Sequence, residues 1–487
     1  MVALILLFGF PSGGLERGAR ASPEGVPRRG KLDPMTTSGP LVTIIGGGFA
    51  GSECAWQLSR RGHRARLHEM RPRVSTAAHE TADLAEMVCS NSFRSDNPLN
   101  AVGLLKREME ALDSLVLACA RQTRVPAGDA LAVDRRAFST CVTRAIEAAP
   151  GIEIAREEVA ELPSEGFVVV ATGPLTSDAL AGTVARRLGT EALYFYDSMA
   201  PIVTAESLDM GRVYPASRYG KGGGEDYLNC PMTKAQYEEF VADLLAGETV
   251  SVHDFEKGIY FEGCLPIEVM AERGVETLRH GPLKPMGLED PRTGRRPHAV
   301  VQLRQDDLAR EHFNIVGFQT KLKVGEQKRI FRKIPGLENA DFARFGMLHR
   351  NTYIHSPGHL DRLFALRADP RIFFAGQITG VEGYLESAAT GLYVGRTLAQ
   401  ILEGRTPVPA PFDTALGSLS RHCSERPKTK TFEPMNVTFG MIEDTSRPAV
   451  KGRVDRRQIL CDAAMASIGR YAHDAEVAGA PREERAG

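Results

Sequence analysis

No Cys-x-x-Cys pair occurs in this chain of 487 residues, although it holds eight cysteines: Cys54, Cys89, Cys119, Cys141, Cys230, Cys264, Cys423 and Cys461. Their scatter argues against a zinc ribbon, a thioredoxin-type motif and a disulfide scaffold, and it suits a reducing cytoplasm. His-Glu-x-x-His is missing too, and the twelve histidines form no cluster with carboxylates, so no metal site is expected. Excess charge is missing: 60 Lys and Arg face 61 Asp and Glu, a net charge of −1. Contact with nucleic acid must then come from a local basic patch. No apolar run is long enough to span a membrane, so no membrane association is expected.

What is present is led by Leu41–Arg71, LVTIIGGGFAGSECAWQLSRRGHRARLHEMR. Leu41–Ile45 is an apolar, β-branched run that predicts a buried strand. Gly46-Gly47-Gly48-Phe49-Ala50-Gly51 fits G-x-G-x-x-G, and Ala50, Cys54, Ala55 and Leu58 follow at helical spacing up to Gly62. Arg64–Glu69 then alternates and ends on an acid. Strand, glycine turn, helix, strand and acid make up the dinucleotide-binding βαβ unit. Gly46 permits the tight turn, Gly48 lets backbone approach a pyrophosphate, and Gly51 lets the helix pack closely. The helix N-terminus offers unpaired N–H groups to phosphate, and Glu69 can accept from ribose hydroxyls.

The rest of the chain divides around that unit. Residues 1–40 carry a short apolar run without periodicity and no basic segment before it; they read as a disordered extension or an over-called start, with Met35 a candidate initiator. The spacing predicts one helix over Ala101–Ala120 after a Ser90–Asn100 loop. It further predicts a strand at Ala130–Val133, a helix over Arg135–Ala149, and further strand at Ile152–Ile154 and Val159. Gly166–Gly173 is a buried strand whose Thr172 and Gly173 are candidates to return to the nucleotide. Tyr194–Ala340 is richer in aromatics, Pro and Gly, with one clear helix at Lys234–Leu245, and reads as an inserted α+β domain. Near its end Lys321, Lys323, Lys328, Arg329, Arg332 and Lys333 have only Glu326 beside them in sequence, a pattern suited to phosphate; Lys321, Lys328 and Arg332 are the candidate contacts. Ile372–Ala375, Gly376, Gln377 and a small-residue helix over Glu386–Leu398 return to the style of the first domain. The expected fold is therefore α/β, a discontinuous Rossmann-like domain over 41–193 and 341–405 interrupted by residues 194–340. A Pro-rich linker and tail follow over 406–487, with Met435–Met441 extended and Arg456–Ile468 helical.

Two cysteines stand out by context. Cys89 sits in the polar MVCSNSFRSD, and Cys264 in FEGCLPIEVMAERG, where Pro266 suits a first helical turn and Gly274 a stop. A helix N-terminus favours thiolate, which gives Cys264 a route to reactivity. Cys54, Cys119 and Cys141 occupy apolar helix positions and read as core.

The stretches IIGGGFAGSECAWQL, LHEMRP, MVCSNSFRSD, ALAVDRRAFS, FEGCLPIE, LHRNTYI and FFAGQITGVEGYLESAATG together resemble the bacterial folate- and flavin-dependent tRNA uracil-5-methyltransferases. The chain departs from that pattern at Phe49, where a smaller aliphatic is usual, and in residues 1–40. The resemblance implies a glutathione-reductase-like FAD-binding domain. It also implies methylation of the T-loop uridine of tRNA at carbon 5, with 5,10-methylenetetrahydrofolate as carbon donor and NAD(P)H as reductant through FAD. No DNA partner is implied. Cys89 and Cys264 match the family's two functional cysteines, one to add at uracil C6 and one to take the C5 proton or partner the flavin; the sequence leaves the assignment open, with Cys264 favoured as nucleophile. Tyr353 matches an aromatic near the flavin ring. Two other readings stand beside this one. One is a flavoprotein that modifies wobble uridines, a family with a helical C-terminal domain that finds no counterpart here. The other is a plain NAD(P)H-dependent flavin oxidoreductase, which would want a second complete G-x-G-x-x-G.

Because the first strand begins at Leu41, residues 1–34 are expected to be dispensable. A chain that starts at Met35 should fold, bind flavin and methylate tRNA; flavin absorbance and a thermal melt check this, and loss of folding would show the extension to be structural.

Overall fold

Leu41–Ile45 is the central strand of a six-stranded sheet in the computed structural model, which describes residues 39–76, 78–189, 193–250, 265–425, 432–443 and 453–477. All but the last two residues of the 1–40 stretch, and Cys264, lie outside the described residues. The strand order is Ala365–Leu366, Asp369–Phe374, Val168–Val170, Leu41–Ile45, Arg64–His68, Ile152–Ala155. Every pairing is parallel except the edge hairpin of the first two strands. Register aligns the carboxyl ends: Ile45 lies opposite His68 and Val170, Val170 opposite Phe374, and His68 opposite Ala155. Ligands of open parallel sheets bind beyond such ends where the strand order reverses, here on either side of Leu41–Ile45.

The glycine turn is sterically locked. Gly46 has φ +105°, and a Cβ there would lie 2.5 Å from the Ala171 carbonyl oxygen; at Gly51 it would lie 1.9 Å from that of Gly46. The helix that follows, Phe49–Arg60, packs against the nineteen-residue helix Tyr384–Leu402. Its backbone is the contact surface: a Cβ on Gly391 would sit 2.1 Å from the Ala50 carbonyl oxygen, and one on Gly395 2.8 Å from that of Cys54.

The expected single helix over 101–120 is two helices, Ala101–Ala111 and Leu115–Gln122. Asp113 takes a positive φ of 61° between them. Ser114 caps the second helix, and the buried Glu53 carboxylate accepts from Ser114 Oγ (2.9 Å), Leu115 N (3.1 Å) and Val116 N (2.9 Å). Burial pushes Glu53 up to about 7 against these bonds. Hydrophobic spacing does not report such a break, because both helices bury the same face. The Ser90–Asn100 loop contains a strand, Ser92–Ser95, which pairs with Ala130–Val133. Val159 lies beyond strand Ile152–Ala155, since the chain turns where Glu157 N donates to Ala155 O.

A second, antiparallel sheet runs Tyr214–Pro215, Tyr227–Met232, Ala299–Gln305, His312–Ile315, Ile202–Thr204, Phe342–Arg344. Its own core joins Val301, Leu303 and Ile315 to Phe240, Phe331 and Ile267 of helices Lys234–Ala246, Val324–Phe331 and Ile267–Glu272. An antiparallel ribbon of Leu193–Ser198 and Leu348–Tyr353 lies at the crossings between the two sheets. Past residue 406, helix Ala415–Ser424 is bound into the first unit: Ala415 N and Leu416 N both donate to buried Glu108 at 2.8 Å. A longer helix, Arg453–Val477, packs on Ala101–Ala111. No helix among the described residues is long and apolar enough to cross a membrane.

Gly391→Val is expected to force the two helices apart at Ala50 and to lower stability by about 3 kcal/mol, the upper end of overpacking costs. Flavin occupancy should fall with it, because the glycine turn rides on the same helix; a denaturant melt paired with flavin absorbance tests both.

Candidate active site

The residues that follow the aligned strand ends line one cavity of about 360 Å³. From the first strand come Gly46, Gly47, Gly48, Phe49 and Ala50; from the second, Glu69; from the third, Thr172 and Gly173; from the fourth, Gly376 and Gln377. Gly51 does not line it; its hydrogen faces the Gly46 carbonyl and lets the turn close on itself. Two helix N-termini open on the cavity, one at Gly48 and one at Gly383. Their unpaired N–H groups favour anions. A Cβ added at Gly48 would meet nothing within 4 Å, whereas one at Gly47 would strike Glu69 and Leu84. Bare backbone thus faces open space where a pyrophosphate needs to approach, and the cradle fits a dinucleotide.

Glu69 is tied to the protein itself. Its Oε2 accepts from Gly47 N at 3.1 Å and its Oε1 from Arg71 N and Nε at 3.0 and 2.9 Å. Burial would raise this carboxyl, but Arg71 outweighs it and holds Glu69 below the usual carboxylate range. Arg71 also donates from Nη1 to Glu86 at 2.9 Å, so the acid at the strand end is one part of a buried ion network.

Cys89 lies on the same cavity, half-buried, on a loop clamped from several sides. Its N–H donates to Tyr384 Oη at 2.7 Å, and Tyr384 stacks on Phe49 at 4.7 Å between ring centroids. Phe49 completes an aromatic cluster with Phe93, Phe138 and Tyr384, which accounts for a large ring in the glycine turn. Asn91 donates from Nδ2 to Val133 O and Gln305 O, both at 2.9 Å, and accepts from Arg304 Nε at 2.7 Å. Arg304 also donates to Ser90 Oγ at 2.8 Å, and Arg135 spans from Asp306 to the Met87 carbonyl. Strand Ala299–Gln305 of the second sheet is therefore fastened to the cysteine loop. Cys89 Sγ donates to Asp197 Oδ2 at 3.6 Å. Burial, then the Asp197 charge, push this thiol well above its ordinary value. Glu382, buried on the same wall, is raised by burial and by Asp197, against a 2.6 Å hydrogen bond from Gln377 Nε2.

Tyr353 is not among the lining residues; it is buried, and its ring packs against Phe432 at 6.4 Å. Helix Ile267–Glu272 begins just after Pro266, as the spacing predicted, and Ile267 N donates to the carbonyl of Gln319, a cavity residue, at 2.7 Å. The basic run has more opposing acid than its sequence suggests: Lys323 pairs with Glu248, Arg329 with Asp243 and Glu326, and Lys333 with Glu239 and Asp243. Arg332 donates to the Ala340 carbonyl, and Lys328 lies 5.4 Å from the Phe345 ring centre. No group of three His, Cys, Asp or Glu among the described residues is placed to hold a metal ion.

Asp197, Glu382, Arg304 and Tyr384 escape sequence reasoning. Asp197 lies 108 residues from Cys89, beyond the reach of any spacing rule. Tyr384 carried a weak signal, standing directly after Gly383 at the head of the small-residue helix.

The family model for glucose inhibited division protein A matches residues 41–406. Two solved crystal forms of GidA from Aquifex aeolicus superpose with TM-scores of 0.66 and 0.65 at 17% and 19% identity, covering 90% and 89% of this chain and 74% and 76% of those chains; this likeness concerns the fold alone. A methylenetetrahydrofolate--tRNA-(uracil-5-)-methyltransferase TrmFO from Geobacter sulfurreducens is 55% identical over 433 residues, 88% of this chain and 98% of that protein. Its counterpart from Myxococcus xanthus is 56% identical over 82% of this chain and 88% of its own length. With more than half of all positions shared along almost the whole of such relatives, and with the glycine cradle and the cysteine loop meeting in one cavity, this chain belongs to the TrmFO family.

Proposed function

We propose that this protein methylates carbon 5 of the T-loop uridine of tRNA, taking the carbon from 5,10-methylenetetrahydrofolate and the reducing equivalents from NAD(P)H through FAD. The observation that carries the reading is the 55% identity along 98% of a relative that bears this methyltransferase name. The wobble-uridine alternative is not favoured, because relatives at 53–55% identity are named as tRNA uracil-5-methyltransferases. A plain flavin oxidoreductase is not favoured either, since relatives at over 50% identity are named as tRNA methyltransferases. The reaction belongs in the cytoplasm, where tRNA is made and modified.

Backbone N–H groups at Gly48–Ala50 and at the head of helix Tyr384–Leu402 would hold the anionic part of FAD, and Thr172, Gly173, Gly376 and Gln377 would complete the cradle. FAD supplies the redox chemistry when bound. The chain's own residues do the rest. Uracil C5 is a poor nucleophile until a thiolate adds at C6, and Cys264 fills that role. Cys89 removes the C5 proton, for which its thiol, held against Asp197, must first give up its own proton. Tyr384 and Asn91 hold the Cys89 loop at the cavity wall. Lys321, Lys328 and Arg332 meet tRNA phosphates.

Cys264→Ala and Cys89→Ala should each stay folded and lose 5-methyluridine formation on unmodified tRNA. The general-base variant should fall by about 10²–10⁴-fold and the nucleophile variant below detection. Cys264→Ala should keep FAD and NAD(P)H oxidation, and Cys54→Ala should alter packing only. With 5-fluorouridine in the tRNA, a protein–RNA adduct should form in the wild type and be absent in Cys264→Ala; the reverse pattern would exchange the two roles. Full methylation by both alanine variants would overturn the mechanism.

Lys321→Glu with Lys328→Glu should weaken tRNA binding and flatten the slope of log affinity against log salt by about one per lost phosphate contact. Flavin reduction by NAD(P)H needs no RNA and should be unaffected. Equal tRNA affinity across a salt series would return these lysines to the solvated surface.

A further inference from the structure

We propose that Asp197 is the proton acceptor that serves Cys89: its Oδ2 holds the thiol hydrogen and takes that proton when the sulfur acts on uracil. The inference rests on the function proposed above and on the role of Cys89 within it. Its own ground is geometry. Sγ and Oδ2 are 3.6 Å apart, and the second carboxylate oxygen is fixed by Ser198 N at 2.8 Å. Both side chains line the same cavity, and each is held by a different element. Asp197 is buried on strand Leu193–Ser198, opposite His349 in the ribbon at the crossings between the sheets. The Cys89 backbone is fixed by Tyr384 Oη.

The other charged and titratable groups that face Cys89 serve less well. Arg135 has no acceptor, and it is engaged with Asp306 and the Met87 carbonyl. Tyr384, raised by burial and by Cys89, remains a neutral phenol and already accepts from Cys89 N. Glu382, raised by burial and then by Asp197, with Glu386 raising it further and Arg94 opposing, accepts from Gln377 Nε2 at 2.6 Å and not from the sulfur. Asp197 alone among the described groups combines contact with the sulfur and capacity for a proton. The buried thiol beside it is not a standing thiolate, so an acceptor is needed at the moment of reaction.

The step balances. The S–H bond of Cys89 breaks and an O–H bond forms at Asp197 Oδ2. The freed sulfur lone pair takes the C5 proton and restores the thiol. The C5–H electron pair closes the C5–C6 double bond as the bond from C6 to the other cysteine breaks, leaving that sulfur as thiolate. Asp197 returns its proton to solvent before the next turnover. No oxidant or reductant enters this step.

The test uses the full-length holoenzyme with unmodified tRNA, methylenetetrahydrofolate and NADPH. Asp197→Asn should lower 5-methyluridine formation by about 100-fold or more, the usual size of a lost proton-transfer partner, while FAD content and NADPH oxidation persist. Alkylation of Cys89 by iodoacetamide, followed by peptide mass spectrometry across pH, should show its midpoint moved to lower pH, because the negative charge that opposes thiolate is gone. Asp197→Glu, which keeps an acceptor, should methylate faster than the Asn variant. Undiminished methylation by Asp197→Asn overturns the inference, as does lowered methylation with an unmoved alkylation midpoint, which would mark a merely structural residue. The failure of the underlying reading is distinguishable: there, Cys89→Ala itself would still methylate, whereas an inactive Cys89→Ala beside an active Asp197→Asn removes Asp197 alone.

Discussion

The structure depends on a contact from which side chains are excluded. Helices Phe49–Arg60 and Tyr384–Leu402 touch through backbone, with Gly391 against the Ala50 carbonyl and Gly395 against that of Cys54. Two helices can approach this closely only where one presents hydrogen in place of a side chain. Because they do, both N-termini open on the same cavity, where their unpaired N–H groups favour an anion. The parallel sheet supplies the other half of the arrangement. With Ile45, His68, Val170 and Phe374 level in register, the residues just past them form a continuous rim.

A second constraint joins this cofactor cradle to the antiparallel sheet. Arg304 and Asp306, at and just past the end of strand Ala299–Gln305, reach the cysteine loop through Asn91, Ser90 and Arg135. Buried charges are costly unless fully paired, and removing one partner of such a pair costs about 3–5 kcal/mol. Arg135 and Asp306 are nearly enclosed and matched. The network is better understood as a device for position than for stability: it fixes Cys89 relative to both sheets, and any shift between them would be felt at the sulfur.

The cavity is also divided by charge. Helix N-termini and Arg71 gather around the glycine turn, where phosphate is expected. Asp197 and Glu382 lie near Cys89, and burial, then the Asp197 charge, raise Glu382. One side of the cavity therefore favours anions, and the other carries the acidic groups beside the cysteine.

Much of the local structure was legible in the chain. Strand, glycine turn and helix over Leu41–Arg60 follow from hydrophobic period and from where only glycine fits, and helix Lys234–Ala246 and strand Val168–Val170 follow from the same rules. The rim residues Gly46–Ala50, Thr172, Gly173, Gly376 and Gln377 were legible because they sit at strand ends, which punctuation marks. Where a break or a partner came from elsewhere in the chain, periodicity was silent. Glu53 caps a helix 62 residues away, so the 101–120 segment reads as one helix and folds as two. The acids that answer Arg329 and Lys333 stand on a helix about 90 residues earlier, so the basic run reads as more exposed charge than it is. Cys89 was visible from its context, but its partner was not. Asp197 reaches the sulfur only after strand Leu193–Ser198 pairs with Leu348–Tyr353 and the cavity closes over both. Sequence by itself determined the elements and their glycine turns, since these obey steric rules that act over a few residues. Tertiary structure alone decided which carboxylate stands beside the thiol, since that proximity is made by chain closure over more than a hundred residues.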